Sequence, residues 1–104
     1  MKNFLRVDLL IKARLYLAEM ERADRERQIL RKVCRDRAIQ HVETEIKIHK
    51  RKWSPEKIEH EIEIQTRVEK ASEYRYNDAV SDVQWFSNLV QTYAALAAVT
   101  EDEE

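Results

Sequence analysis

The chain of 104 residues contains no glycine, and its one proline, Pro55, lies near the middle. Tight β-hairpin turns and phosphate-cradling loops need glycine because they place the backbone at positive φ. The same absence excludes the GxGxxG and GxxxxGK[ST] nucleotide-binding motifs. Long helices fit a composition with 38% charged and 43% apolar residues. The sequence therefore predicts an all-α fold and a single domain, residues 1–104.

The only strong boundary between helices lies at Trp53, Ser54 and Pro55. Ser54 suits an N-cap and Pro55 suits the first position of a helix, whereas the residue before a proline resists α geometry. Because a short turn between long helices favours an antiparallel neighbour, we expect a long antiparallel helical hairpin of two long helices. The predicted elements are helix 1 at about 4–52, the turn at 53–55, helix 2 at about 55–99, and an acidic tail at 100–104.

Apolar residues recur at helical spacing on both sides of this turn. The stripe thins between Glu21 and Gln28, and a break there would let the N-terminal segment fold back as a third helix. The expected core positions of helix 1 are Leu9, Ala13, Tyr16, Met20, Ala23, Leu30, Cys34, Ala38, Val42, Ile46 and His49. Those of helix 2 are Ile58, Ile62, Val68, Ala71, Tyr76, Ala79, Val83, Phe86, Val90, Tyr93 and Ala97.

The charge changes sign at the proposed turn. Residues 1–52 hold 15 Lys or Arg and 8 Asp or Glu, a net of +7, and residues 53–104 hold 4 and 12, a net of −8. In a hairpin, residue i lies roughly opposite residue 107 − i, which brings Arg35 and Arg37 near Glu69 and Glu73. Such exposed pairs specify alignment more than stability. Pairing within one chain and pairing between chains both remain open.

The two ends of the chain are apolar on most sides, and a helix of that kind needs more than one neighbour. A hairpin supplies one neighbour, so we expect a homo-oligomer. A dimer is favoured, forming a coiled-coil-like four-helix bundle or a larger helical oligomer. The predicted oligomer or partner interface consists of Leu9, Tyr16, Phe86, Val90 and Tyr93.

A basic helical segment between Arg22 and Arg37 offers an alternative function. It can follow a phosphate backbone, as in a nucleic-acid-binding regulator. Acidic residues are interleaved with it, and the pI is near 6.3. The candidate nucleic-acid face consists of Arg22, Arg25, Arg31, Lys32 and Arg35.

No arrangement of residues points to catalysis, and we expect neither an enzyme nor a cofactor. His41, Glu45 and His49 are spaced by four on one helical face, and His60 comes near them in a hairpin. A metal site there is an alternative to a solvated surface, although the spacing is not that of HExxH. Our expectation is that there is no metal site and that Cys34, the only cysteine, is a small core residue.

A chain of about 100 residues with Trp53-Ser54-Pro55 at its bend resembles the WXG100 secreted effectors, with Pro where the family has Gly. A Tyr-x-x-x-Asp string also occurs, from Tyr74 to Asp78. The resemblance implies a secreted helical hairpin.

The residues alone favour a different function, that of a small, non-enzymatic accessory protein. We expect it to act by oligomerisation and by binding an unidentified protein partner. We see no signal peptide or membrane span and expect a soluble cytoplasmic protein. Short chains of this kind are common in phages and mobile elements.

Overall fold

The computed structural model describes residues 2–100 of the chain, with side chains from residue 5 onward. It consists of three helices: α1 at Lys2–His49, α2 at Pro55–Ser72 and α3 at Tyr74–Val99. The prediction of an all-α fold is confirmed, since the described residues form no strand. Residues 101–104 of the predicted acidic tail lie outside the described part.

Helix α1 continues without interruption through residues 21–28. The alternative of a break there, with the N-terminal segment folded back as a third helix, is therefore wrong. The segment has neither glycine nor proline, and Ala23 keeps the buried stripe going through it.

Contacts between residues nevertheless divide the chain into two compact units near this position. Unit 1 comprises the described residues 2–25 and 79–100, and unit 2 comprises residues 26–78.

The C-terminus of α1 is closed by a left-handed residue, Lys50, which has a φ of 50°. The N–H of Arg51 donates a 3.0 Å hydrogen bond to the carbonyl oxygen of Ile46. This is the Schellman pattern, in which glycine is the usual left-handed residue. The helix thus ends at His49, about three residues before the predicted end, because local capping stops it ahead of Pro55.

The start of α2 is capped by Ser54, whose Oγ accepts a 3.2 Å hydrogen bond from the N–H of Lys57. Pro55 is the first helical residue, where its missing N–H costs nothing. Glu56 in the first turn complements the positive end of the helix dipole. Unit 2 therefore reverses direction over residues 50–54, and both sides of the reversal are capped.

The predicted second helix is interrupted at Glu73, whose φ of −92° and ψ of 96° are extended. Its backbone N–H donates to the carbonyl oxygen of Lys70 at 3.3 Å and closes α2. Its Oε1 accepts from the backbone N–H of Arg75 at 3.3 Å and so caps α3. The prediction of one helix over about 55–99 is wrong here, because side-chain capping ends a helix where the sequence has neither glycine nor proline.

The inward-facing residues of α2 also differ from those predicted. Val68 and Ala71, predicted core positions, are exposed, whereas Gln65 and Glu69 are half-buried. A continuous helix would keep one period throughout. The non-helical residue at 73 instead separates the inward face of α2 from that of α3, which resumes at Tyr76 and Ala79.

The core of unit 2 forms along α1 at a spacing of four, where the inward side chains are small or medium in size. Two long-range ion pairs span the chain reversal: Arg35 Nη2 to Glu59 Oε1 at 3.0 Å, and Arg37 Nη1 to Glu73 Oε2 at 3.1 Å. The second pair follows the predicted register, and the first reaches a residue nearer the turn. The buried residues are Leu30, Cys34, Ala38, Val42 and Ile62.

The core of unit 1 is built differently. Only alanines are fully buried in it, and a half-buried aromatic cluster fills the remaining space. The ring of Tyr16 stacks on Phe86 at 6.1 Å and on Tyr93 at 5.5 Å between centroids. Lys12 Nζ lies 5.5 Å from the ring of Tyr93, so the earlier residue of α1 meets the later residue of α3. The buried alanines are Ala13, Ala23, Ala79 and Ala97.

Candidate functional site

The five residues predicted to form an oligomer interface all belong to unit 1, and all five are half-buried in the single chain. Tyr16, Phe86 and Tyr93 contact one another in the aromatic cluster. Much of their surface is therefore occupied inside the chain and is not free for a second molecule.

A different set of apolar residues in unit 1 is exposed. Of the fifteen large hydrophobic residues exposed in the described chain, ten belong to unit 1. Soluble monomers scatter exposed apolar residues singly, and a concentration of them marks an interaction surface. These ten are Leu5, Val7, Leu10, Ile11, Leu15, Leu17, Val80, Trp85, Leu96 and Val99.

Six of these exposed residues follow the spacing of a helix–helix seam. On α3, steps of four, three, four and three residues connect one stripe, the repeat that places side chains along one edge of a helix. On α1, Val7, Ile11 and Leu15 are spaced by four and lie on one face. The α3 stripe consists of Trp85, Leu89, Thr92, Leu96 and Val99, of which Leu89 is half-buried and the other four are exposed.

The residues of the α3 stripe are uncharged. Between Ala79 and Val99 the only charged residue is Asp82. Two such faces can therefore meet without bringing like charges together.

The predicted nucleic-acid face falls into two parts. Arg22 and Arg25 belong to unit 1, and Arg22 forms an ion pair with Glu19 on the same helix. Arg31, Lys32 and Arg35 belong to unit 2. The five residues therefore do not make up a surface of one unit.

The predicted turn residues lie at the chain reversal of unit 2. Trp53 is half-buried, with Arg51 Cζ 5.9 Å and Lys57 Nζ 5.5 Å from its ring. Two cations beside one indole make a local cation–π cluster. Trp53 therefore contacts cations on both sides of the turn and stabilises it.

A charged cluster around Glu73 joins three parts of unit 2. Besides Arg37, its carboxylate accepts a 3.2 Å bond from Arg75 Nε. Hydrogen bonds from Arg75 and then Arg37 lower the pKa of Glu73, against an opposing effect of burial. The same carboxylate raises the pKa of Arg75. Apart from the predicted proximity of Arg37 to Glu73, no pattern in the sequence indicated this cluster.

The thiol of Cys34 is fully buried, as predicted for a core residue. Burial raises its pKa, which Arg37 only partly counters, and a thiol with a raised pKa is a poor nucleophile. Glu45 and His49 approach to 3.6 Å. Among the described residues, however, no three His, Cys, Asp or Glu side chains converge as metal ligands, so His41 and His60 are not brought into such a group.

No helix in the described part of the chain is long and apolar enough to cross a membrane. Comparison with family models, curated proteins and solved structures finds no match to this chain. The resemblance to WXG100 effectors stays a prediction that depends on the turn and the Tyr74 to Asp78 string.

Proposed function

We propose that the protein is a non-enzymatic helical assembly protein that self-associates through the exposed apolar surface of unit 1. The observation that carries this proposal is the contrast between what unit 1 buries and what it exposes. Its fully buried residues are four alanines, while ten large hydrophobic residues are exposed. Burial of apolar surface is the main favourable term in association, so this surface favours a partner.

The occupant of this surface is a second copy of the chain. The uncharged 4-3-4-3 stripe on α3 is suited to packing against an identical stripe in a two-fold dimer. Each copy contributes its segments of α1 and α3, so the dimer places four helices around a shared apolar core. The charged residues of unit 2 are left for a macromolecular partner.

The decisive experiment is the mass in solution, measured by light scattering over a range of concentrations. We expect a mass twice 12.5 kDa for the natural chain. The variants Leu15→Glu and Trp85→Glu place a charge at residues that are 62% and 61% exposed in unit 1. They should give the monomer mass at concentrations where the natural chain is dimeric.

Matched controls come from unit 2. Ile29 and Ile48 are 65% and 67% exposed, so Ile29→Glu and Ile48→Glu make the same change at similar exposure. These controls should remain dimeric. A natural chain that is monomeric throughout, or all four variants behaving alike, would contradict the proposal. Phe86→Asp is a poorer test, because Phe86 packs on Tyr16 and its replacement would unfold unit 1.

A further inference from the structure

A cavity of about 280 Å³ lies in unit 2 between α1 and α2. No large apolar side chain lines it. Its lining consists of Arg31, Arg35, Glu63, Thr66, Arg67 and Lys70.

The lining is basic on both sides, although the second half of the chain, which supplies one side, is acidic. The second half of the chain has only four basic residues against twelve acidic ones. Two of those four, Arg67 and Lys70, meet Arg31 and Arg35 of the basic half at one cavity. Four cations and one carboxylate leave a net charge of +3 around it. Like charges repel one another, so such a convergence is stabilised when an anion enters.

The cations of the cavity are available to an anion. Within residues 2–100, neither Arg31 nor Arg67 is held by a carboxylate. Arg35 pairs with Glu59, but both side chains are about half exposed, and exposed pairs contribute little. Lys70 Nζ lies 5.5 Å from the ring of Tyr76, which leaves its charge unneutralised.

We propose that this cavity is a binding site for a phosphate anion, with a diphosphate group as the best-matched ligand. A phosphate monoester carries about −1.5 to −2 charge at pH 7, so two phosphate groups offset the net charge of +3 around the cavity. The arginines present planar forks of donors that match phosphate oxygens in pairs. At about 280 Å³ the cavity is slightly smaller than most ligand pockets, which span roughly 300–1,000 Å³, and no large apolar or aromatic side chain lines it to hold a base. The phosphate is therefore the recognised group.

The site goes beyond the proposed self-association and uses a different unit of the molecule. A monomeric chain could still bind phosphate at unit 2, and a dimer could still fail to do so. The two proposals therefore fail independently.

The test is titration calorimetry of the full chain with inorganic pyrophosphate at about 50 mM salt. We expect one pyrophosphate per chain. The double variant Arg31→Gln/Arg67→Gln should weaken binding by about tenfold or more, because it removes two charged donors. The control Arg25→Gln/Lys32→Gln removes the same total charge outside the cavity and should change affinity by less than about threefold. Equal weakening by both double variants would overturn the site.

A third variant is expected to have the opposite effect on phosphate affinity. Glu63 is the one carboxylate of the lining, so Glu63→Gln should strengthen binding several-fold. It provides an independent result if the double arginine variant does not fold, as judged by circular dichroism. Unchanged or weaker binding by Glu63→Gln would contradict the proposal.

Two further titrations define the ligand. Citrate carries carboxylates in place of phosphates, and binding as tight as that of pyrophosphate would contradict a phosphate site. A single-stranded DNA dodecamer tests the source of the phosphate. If it binds and is weakened only by the cavity variants, the phosphates are those of a nucleic-acid backbone; pyrophosphate binding alone indicates a free diphosphate or nucleotide. Binding of neither would overturn the proposal.

Discussion

Unit 1 and unit 2 share helix α1, but each unit is stabilised internally by different interactions. Unit 2 buries Leu30, Val42 and Ile62, caps both sides of its turn, and has ion pairs of Arg35 and Arg37 across its chain reversal. Unit 1 buries four alanines, relies on the ring of Tyr16 against two other rings, and exposes most of its large apolar residues.

The difference shows that one partner helix can cover the apolar residues of α1 in unit 2 but not those in unit 1. Medium-sized side chains at a spacing of four give unit 2 an apolar core within one chain. The apolar residues of unit 1 surround their helices, so one partner helix cannot cover them all. An uncovered apolar surface is the physical basis of the proposed dimer, whereas converging cations are the basis of the proposed phosphate site.

The largest expected effect compares the same substitution at two positions of α1. Leu30 is 5% exposed in unit 2, and Leu15 is 62% exposed in unit 1. Leu30→Ala should lower the free energy of unfolding by about 3 kcal/mol, because it removes buried methyl groups and leaves a cavity. Leu15→Ala should change it by less than about 0.5 kcal/mol at concentrations where the protein is monomeric.

Urea denaturation followed by circular dichroism measures both values. At high concentration, Leu15→Ala should also reduce the dependence of Tm on protein concentration, which self-association produces. Equal losses at the two positions in dilute protein would break the distinction between the units.

A smaller effect, with the opposite sign, is expected at the turn of unit 2. Lys50 has a φ of 50°, a conformation that costs a residue with a Cβ about 1–2 kcal/mol and costs glycine little. Lys50→Gly should therefore raise the free energy of unfolding by about 1 kcal/mol, less what glycine gains in the unfolded chain.

The matched control is Lys32→Gly, which makes the same change within α1 and should destabilise the protein by about 0.7–1 kcal/mol. Thermal denaturation distinguishes the two signs. Destabilisation by both variants would mean that the left-handed cap is not needed to close α1.

The smallest effect at neutral pH concerns Glu73 of unit 2, which forms ion pairs with Arg37 and Arg75. Its pKa in the folded chain is lowered by Arg75 and Arg37. A carboxyl with a lowered folded pKa stabilises the protein above its unfolded pKa of about 4.3, and this stabilisation is lost as pH falls through the folded pKa. Below about pH 4, unit 2 should therefore loosen.

Hydrogen exchange at pH 7 and below pH 4 measures this loss for peptides from each unit. Glu73→Gln should already show faster exchange around residues 70–77 at neutral pH, with little further change on acidification. Glu69→Gln, a nearby half-buried carboxyl, is the control and should retain the acid response. If acid causes the same loss of protection in both units and in both variants, protonation of Glu73 is not the cause of that loss.

Local chemistry made several features predictable from the sequence. The absence of glycine and the single Pro55 indicated long helices, and the cap at Ser54 is present. The buried stripe of Leu30, Cys34, Ala38 and Val42 followed from a period that holds within one helix. The proximity of Arg37 to Glu73 followed from the length of the turn and the opposite charges of the two halves.

What the sequence determined by itself is helical structure, the position of the reversal and the inward face of α1, because these depend on neighbours along the chain. The interruption between α2 and α3 was not indicated by the sequence; it depends on Glu73, whose carboxylate caps α3 and also accepts from Arg37, 36 positions away. The tertiary structure also decided that Tyr16, Phe86 and Tyr93 contact one another while Leu15 and Trp85 are exposed, and that Arg67 and Lys70 meet Arg31 and Arg35. Each of these depends on the rotation and register of one helix against another, which side-chain packing sets and a periodic pattern leaves undetermined.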